Sequence, residues 1–271
     1  MSAKRRFWLL GLSLIIGACA SKPPAPPYPA FTQADAIPDS FLAWLPETRS
    51  KIFTSDARTR RTSMLLQLPS DWTFTTGGAP DKTLEIYVLE GDLKIGEFEL
   101  EPGGYVYLPS GSMGINMSSV SGASLLYFLN DVDASAVIQT PLITNSNLLA
   151  WETASDGMED FGIATKELRS DPGSGARTWL LKIEPGAIQD WQQATAREEG
   201  FLISGHYQHA ECVDGVPSPG EYTQGGYFLR PSGAINGGPD ASAFETSIWF
   251  LRVPRQSTIV NNAYCGIELA E

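Results

Sequence analysis

The run Gly103-Gly104-Tyr105, three further residues and Pro109-Ser110-Gly111 returns as Gly225-Gly226-Tyr227, three residues and Pro231-Ser232-Gly233. Six of nine positions are identical at a spacing of 122 residues, so the chain carries an internal duplication. Other pieces recur in the same order. Leu42-Ala43-Trp44 returns as Leu149-Ala150-Trp151, Asp71-Trp72 as Asp190-Trp191, and Glu85 with Gly91 as Glu199 with Gly205. A duplicated chain folds as two copies of one unit, and the boundary falls near residues 141–148. The 271 residues accommodate two such units after an N-terminal segment.

Each copy reads as β structure. In the first, Ser63–Leu68, Leu84–Leu89, Leu93–Ile95, Tyr105–Leu108 and Ser124–Leu129 are short apolar or alternating runs between Gly, Pro, Asp and Ser. In the second, Thr178–Ile183, Gly200–Ile203, Tyr227–Arg230 and Thr246–Val253 do the same. No long stretch has helical periodicity, and closely spaced short strands point to a sandwich or barrel. A chain that is 42% hydrophobic and 18% charged is neither disordered nor polytopic in a membrane. Its net charge of -12 argues against a nucleic-acid partner, since phosphate binding needs clustered Lys and Arg.

The Gly-Gly-Tyr turn followed by the Pro-x-Gly corner resembles the second motif of cupins. Val88-Leu89-Glu90-Gly91 and Leu202-Ile203-Ser204-Gly205 resemble the end of the first cupin motif. The segment from Ile183 to Gly205 resembles the cupin of ChrR-type anti-sigma factors and of bicupin lipoproteins. The resemblance implies an all-β fold of two tandem cupin-type barrels (jelly rolls, or double-stranded β-helices), spanning residues 39–145 and 146–271.

A cupin site usually holds a metal through two His and a Glu of the first motif and a His of the second. Carried onto the second unit, the two His positions fall on Gln192 and Ala194, or on Trp191 and Gln193 in the neighbouring register. The second-motif position falls on Asn236, and in the first unit on Gly114. Only carboxylates remain, Glu85 in one unit and Glu198 or Glu199 in the other. One carboxylate and an amide make a weak transition-metal site, so no metal and no cofactor is expected. The chain's two histidines, His206 and His209, lie on one strand and must face opposite ways. His206 near Glu199 reads either as a relocated ligand or general base, or as an ordinary strand histidine. Trp191, Tyr207, Tyr222, Tyr227 and Phe228 with Arg230 read either as a small-molecule pocket or as core packing with a surface Arg. The ligand-binding candidates are Glu199, His206, Arg230, Asn236, Tyr227 and Trp191. The first unit, with Gly114 and no His, reads as a scaffold.

The N-terminus carries an address. Lys4-Arg5-Arg6 precede an apolar run from Phe7 to Ala18, too short to span the roughly 30 Å hydrocarbon core. The segment ends Ile16-Gly17-Ala18-Cys19, which resembles the lipobox of bacterial lipoproteins. That resemblance implies cleavage of residues 1–18, lipidation of Cys19 and, with Ala20 and Ser21 following, an outer-membrane destination. Residues 19–38, rich in proline to Pro29, read as a lipidated tether. Cys212 and Cys265 remain as thiols in an oxidising compartment, either bonded to each other or separately buried. The expected function is a lipid-anchored bicupin without the usual metal site that binds a small molecule or an envelope protein partner. The alternative is a cupin-type enzyme (dioxygenase, isomerase or hydrolase) using a relocated site in the second barrel.

Overall fold

The computed structural model describes residues 23–75, 81–112, 115–153, 162–187, 189–261 and 263–266. Cys19 and Gly114 lie outside these residues. The elements are strands and two short 3-10 helices, arranged as two seven-stranded and two smaller antiparallel sheets.

The larger sheet of the first unit takes, in spatial order, Leu142–Asn145, Gly104–Leu108, Lys82–Gly91, Ala123–Asp131, Thr62–Leu68, Leu45–Ser55 and Ser40–Leu42. That of the second takes Thr32–Gln33, Gly226–Arg230, Glu198–Ser204, Ser247–Val253, Arg177–Ile183, Ile163–Ser170 and Glu152–Thr153. The two orders correspond strand for strand. Each large sheet closes against a smaller one. The first packs over Trp72–Thr75, Asn116–Ser119, Leu93–Ile95 and Phe98–Leu100. The second packs over Val216–Thr223, His206–Val213, Ile235–Ala243, Gln192–Ala194 and Ile259–Asn261.

Three cores result. Leu66, Ile86, Val88, Leu93, Val106 and Leu125 fill the first barrel. Leu202, Tyr207, Tyr222, Phe228 and Trp249 fill the second. The third core lies between the barrels, where Tyr87, Tyr105, Phe128, Phe201, Tyr227 and Phe250 meet. The central strands are therefore buried on both faces. Along Lys82–Gly91, Leu84, Ile86 and Val88 face the lumen while Glu85 and Tyr87 face the other barrel.

The tether expectation is corrected from Tyr28 onward. Thr32–Gln33 pairs with Gly226–Arg230 of the second barrel, and the Ala34 amide donates to Gly225 O at 3.0 Å. In the same way Leu142–Asn145 pairs with Gly104–Leu108 of the first, and the Ser146 amide donates to Gly103 O at 2.8 Å. Each repeat thus opens with a strand and a 3-10 turn lent to the other barrel. Gly103 and Gly225, with φ of 94° and 87°, occupy a left-handed conformation that suits glycine and lets the exchanged strand enter. Cys212 and Cys265 form a disulfide, with Cα atoms 5.7 Å apart, that ties the end of the chain to the second barrel.

Candidate functional site

The second lumen is occupied by the protein's own charges. Glu198 on a central strand, Arg230 on its neighbour, and His209 and Glu211 across the barrel are all buried. Arg230 Nε donates to Glu211 Oε1 at 2.9 Å, and Arg230 Nη2 lies 2.8 Å from His209 Nε2. His209 Nε2 also lies 3.0 Å from Glu211 Oε1, so this nitrogen sits between a donor and an acceptor, accepting from Arg230 in one tautomer and donating to Glu211 in the other. Burial pushes the His209 pKa down. Burial would raise the Glu211 carboxyl, but Arg230 and His209 outweigh it and hold it at about 2. Glu198 is farther from the guanidinium, at 3.9 Å, and burial raises its pKa despite Arg230. Phe228 stacks beneath Arg230, 3.6 Å from its ring centroid.

The N-terminal segment seals this end. Tyr28 Oη donates to Glu211 Oε2 at 3.0 Å, the Phe31 amide donates to Tyr222 Oη at 3.0 Å, and the Phe31 ring lies 5.6 Å from that of His209. Only about 40 Å³ of cavity remains, bordered by Gln192, Glu198, His209, Arg230 and Asn236.

Sequence reasoning is corrected at several candidates. Arg230 is not at the surface; it is the cation at the centre of the lumen. Asn236 does border the lumen, beside Gln192, whose Nε2 lies 3.4 Å from Asn236 Oδ1. Glu199 and Tyr227 point away from the lumen into the inter-barrel core, where Tyr227 Oη donates to Glu199 Oε1 at 2.5 Å. His206 leaves the lumen too, pairing with Glu221 at 2.9 Å and packing on Phe244. Glu199 and His206 therefore do not form a site. Trp191 is half-buried and packs over Gly238. His209 and Glu211 were the residues missed. Their two-residue spacing places both, with Tyr207, on the face opposite His206 by plain alternation.

The position a cupin metal would take does not fit one. Arg230 already supplies the positive charge between the carboxylates, and Gln192 and Asn236 offer amides where imidazoles would be needed. Among the described residues no three His, Cys, Asp or Glu side chains converge for a metal ion.

The first barrel, whose sequence suggests a scaffold, is different. Leu84 stands where the second repeat has Glu198, and Leu108 where it has Arg230. Without an internal network the lumen stays open, with a cavity of about 610 Å³. Leu42, Trp44, Phe74, Leu84, Tyr127 and Leu129 supply its apolar wall. Ser55, Asp56, Arg60, Thr62, Lys82, Thr83 and Ser112 are the polar groups that border it. Lys82 is buried and already held by Asp81 at 2.8 Å and Asp131 at 3.0 Å. No sequence motif announced this cavity; the signal was the pair of leucines at charged positions of the repeat.

Between the barrels the duplicated carboxylates meet. Glu85 Oε2 accepts from Tyr105 at 2.8 Å and from Thr178 at 2.6 Å. Arg252 bridges the two repeats, donating to Glu85 Oε1 at 3.0 Å and Glu199 Oε2 at 3.1 Å. Burial would raise the Glu85 carboxyl, but Arg252, Arg169, Thr178 and Tyr105 together hold it at about 2.

Residues 46–260 match the model of a family described as a domain of unknown function, DUF4437. The chain belongs to the DUF4437 family. A search of curated proteins finds no match. Among solved structures, this DUF4437 chain is similar to a protein described as a candidate dioxygenase from Nostoc punctiforme. The identity is 20%, 86% of each chain is covered, and the TM-score is 0.68. It is similar to Ylba of E. coli at 17% identity, covering 82% of this chain and 89% of that one, with a TM-score of 0.61. It is also similar to the oxalate decarboxylase of Bacillus subtilis at 12% identity, covering 90% of this chain and 81% of that one, with a TM-score of 0.61. Likeness at these identities shows the fold, and the fold is the bicupin.

Proposed function

We propose that this DUF4437 protein is a lipid-anchored receptor for a small, largely apolar molecule, and that the first barrel is its receptacle. The observation that carries the reading is the 610 Å³ cavity, within the roughly 300–1,000 Å³ range of small-molecule sites. Its wall is aliphatic and aromatic, with polar groups from Ser55, Asp56, Arg60, Thr62, Lys82, Thr83 and Ser112. An elongated apolar ligand with one polar end matches that division. The second barrel, filled by Arg230, Glu211 and His209, supplies rigidity and holds the N-terminal segment.

The lipobox-like Ile16-Gly17-Ala18-Cys19 supports anchoring through Cys19 at the bacterial outer membrane. Eight residues lie between Cys19 and the pinned Tyr28, nine steps along the chain. At about 3.1 Å per residue in an extended proline-rich chain, the second barrel is held within roughly 30 Å of the lipid.

Two measurements test this. Binding of a fluorescent apolar probe such as N-phenyl-1-naphthylamine, followed by displacement with fatty acids of graded length, reads the cavity. Saturable binding is expected, weakened at least about tenfold in Leu84→Trp and unchanged in Asn236→Ala. No saturable binding, or equal binding by Leu84→Trp, refutes the receptacle. Cys19→Ser moves the protein from the membrane to the soluble fraction if the anchoring reading holds, and leaves it on the membrane if it does not.

A further inference from the structure

Tyr127 belongs to the central strand Ala123–Asp131 of the first barrel, where it stands opposite Ile86 on one neighbouring strand and Met64 on the other. Both partners are completely buried members of the first-barrel core, and Tyr127 points with them into the lumen. It borders the cavity of about 610 Å³, and its ring lies 6.0 Å from that of Trp44. Tyr127 is only 6% exposed, yet its hydroxyl makes no hydrogen bond among the described residues. The buried hydroxyls of Tyr87, Tyr105, Tyr222 and Tyr227 each have a partner. Taking a hydroxyl out of water without replacing its hydrogen bond is costly, so a group aimed into a cavity in this state is matched by what enters the cavity. Burial pushes the Tyr127 pKa up, so the phenol keeps its proton and is available as a donor.

The charges at the cavity are answered from within the chain. Asp81 holds Lys82 at 2.8 Å and Arg60 at 3.5 Å, and Asp131 holds Lys82 at 3.0 Å and Arg61 at 3.3 Å. Asp56 pairs with Arg61 at 3.4 Å. Arg60, Arg61 and Lys82 are thus balanced by Asp56, Asp81 and Asp131. A ligand carboxylate would find no unanswered cation there, and beside Tyr127 it would lose its hydration for a single hydrogen bond. A neutral oxygen acceptor pays far less to enter and meets the same donor.

Granted the receptacle reading, we infer that the molecule held in the first barrel is uncharged and carries an oxygen acceptor of the ketone, ester or alcohol class, to which Tyr127 Oη donates. Phe74, Leu84, Leu108 and Leu129 surround the apolar remainder. Tyr127 then decides specificity, separating neutral oxygenated chains from fatty-acid anions on one side and from bare hydrocarbons on the other.

The test uses the full-length protein in lipid nanodiscs, with the signal of empty nanodiscs subtracted and N-phenyl-1-naphthylamine as reporter. Octane, 2-octanone and octanoate compete with it at pH 7.5. The ketone should bind at least about tenfold tighter than octanoate, whose charge has no partner in the lumen. Tyr127→Phe keeps the ring and should weaken 2-octanone about three- to tenfold while leaving octane within about twofold. The carbonyl stretch of bound, isotope-labelled 2-octanone should lie below its position in octane solution, which reads the hydrogen bond even if the variant fails to fold. Absence of saturable reporter binding refutes the receptacle and this ligand class together. Saturable reporter binding in which octanoate matches the ketone, the carbonyl stretch is unshifted, or Tyr127→Phe leaves 2-octanone unaffected overturns the ligand class alone and leaves the receptacle standing.

Discussion

Replacing Arg252 with methionine removes the one cation that bridges the two repeats while keeping a side chain of similar length. Two ion pairs, at 3.0 and 3.1 Å, are lost, and Glu85 and Glu199 are left buried without it. Breaking a buried pair from one side costs about 3–5 kcal/mol, because the orphaned charge remains out of water. The pH dependence has a definite sign. The Glu85 carboxyl is held at about 2 against an ordinary 4.5 and is completely buried. It therefore contributes on the order of 3 kcal/mol that is present above pH 4.5 and lost as pH falls toward 2. In Arg252→Met, burial dominates the same carboxyl and favours its protonated form, so acid relieves the variant while it weakens the parent. Urea titration followed by tryptophan fluorescence should show a deficit of about 3–5 kcal/mol at pH 7.5, shrinking by at least about half at pH 4.5. Adding Glu85→Gln and Glu199→Gln to Arg252→Met should restore part of the loss and not all of it, because Glu85 also answers the buried Arg169. A deficit below about 1 kcal/mol at pH 7.5, or one that does not change with pH, refutes the electrostatic account of this interface.

Reducing Cys212–Cys265, or replacing both with serine, should cost about 4 kcal/mol by the chain-entropy relation for a loop of roughly 50 residues, read as a lower urea midpoint at unchanged slope. Phe31→Ala should cost about 3 kcal/mol and release the segment before Thr32 to limited proteolysis, since its ring fills the space against Tyr222, His209 and the bare Cα of Gly220. Residues 39–145 and 146–271 made separately each expose the core of Tyr87, Tyr105, Phe128, Phe201, Tyr227 and Phe250, and 146–271 also loses the strand Thr32–Gln33, so both should be less stable than the whole chain. Calorimetry of the whole chain should show one transition, and two independent transitions would contradict a shared core.

How much of this was legible in the residues follows from which faces are buried. The nine strands expected from alternating runs are all present, each within about two residues of its observed ends, because apolar runs between Gly and Pro are strong local signals. Val216–Thr223 was invisible for the opposite reason. It carries Pro217 and Pro219, tolerated only because the strand lies at the edge of its sheet. Ile235–Ala243, with Gly237, Gly238 and Pro239, was hidden in the same way. The site was harder to phase. Glu198 and Glu199 stand side by side with both faces of their strand buried, one against the lumen and one against the other barrel, so burial pattern could not say which carboxylate faces inward. A one-residue choice of phase moved the expected site from the lumen to the interface.

The interface also shows why a perfect duplication could not have served. Glu85 with Tyr105 and Glu199 with Tyr227 are equivalent pairs brought close together by the approximate two-fold relation of the repeats. Left alone, two buried carboxylates would repel, and one would have to bind a proton. A cation between them resolves this, but the position that supplies it exists twice. Strand pairing sets Arg252 opposite Glu199 and Phe128 opposite Glu85, so these two residues are counterparts. In this chain they differ, and the Arg252 guanidinium lies over the Phe128 ring, 4.4 Å from its centroid. A second arginine there would place like charges in contact, and a second phenylalanine would leave both glutamates unanswered. One arginine and one phenylalanine satisfy the carboxylates and each other. The same departure from symmetry recurs at Leu84 against Glu198 and Leu108 against Arg230, where it empties one lumen and fills the other. Duplication supplied two shells, and a few unequal residues packed one lumen with charge and left the other open.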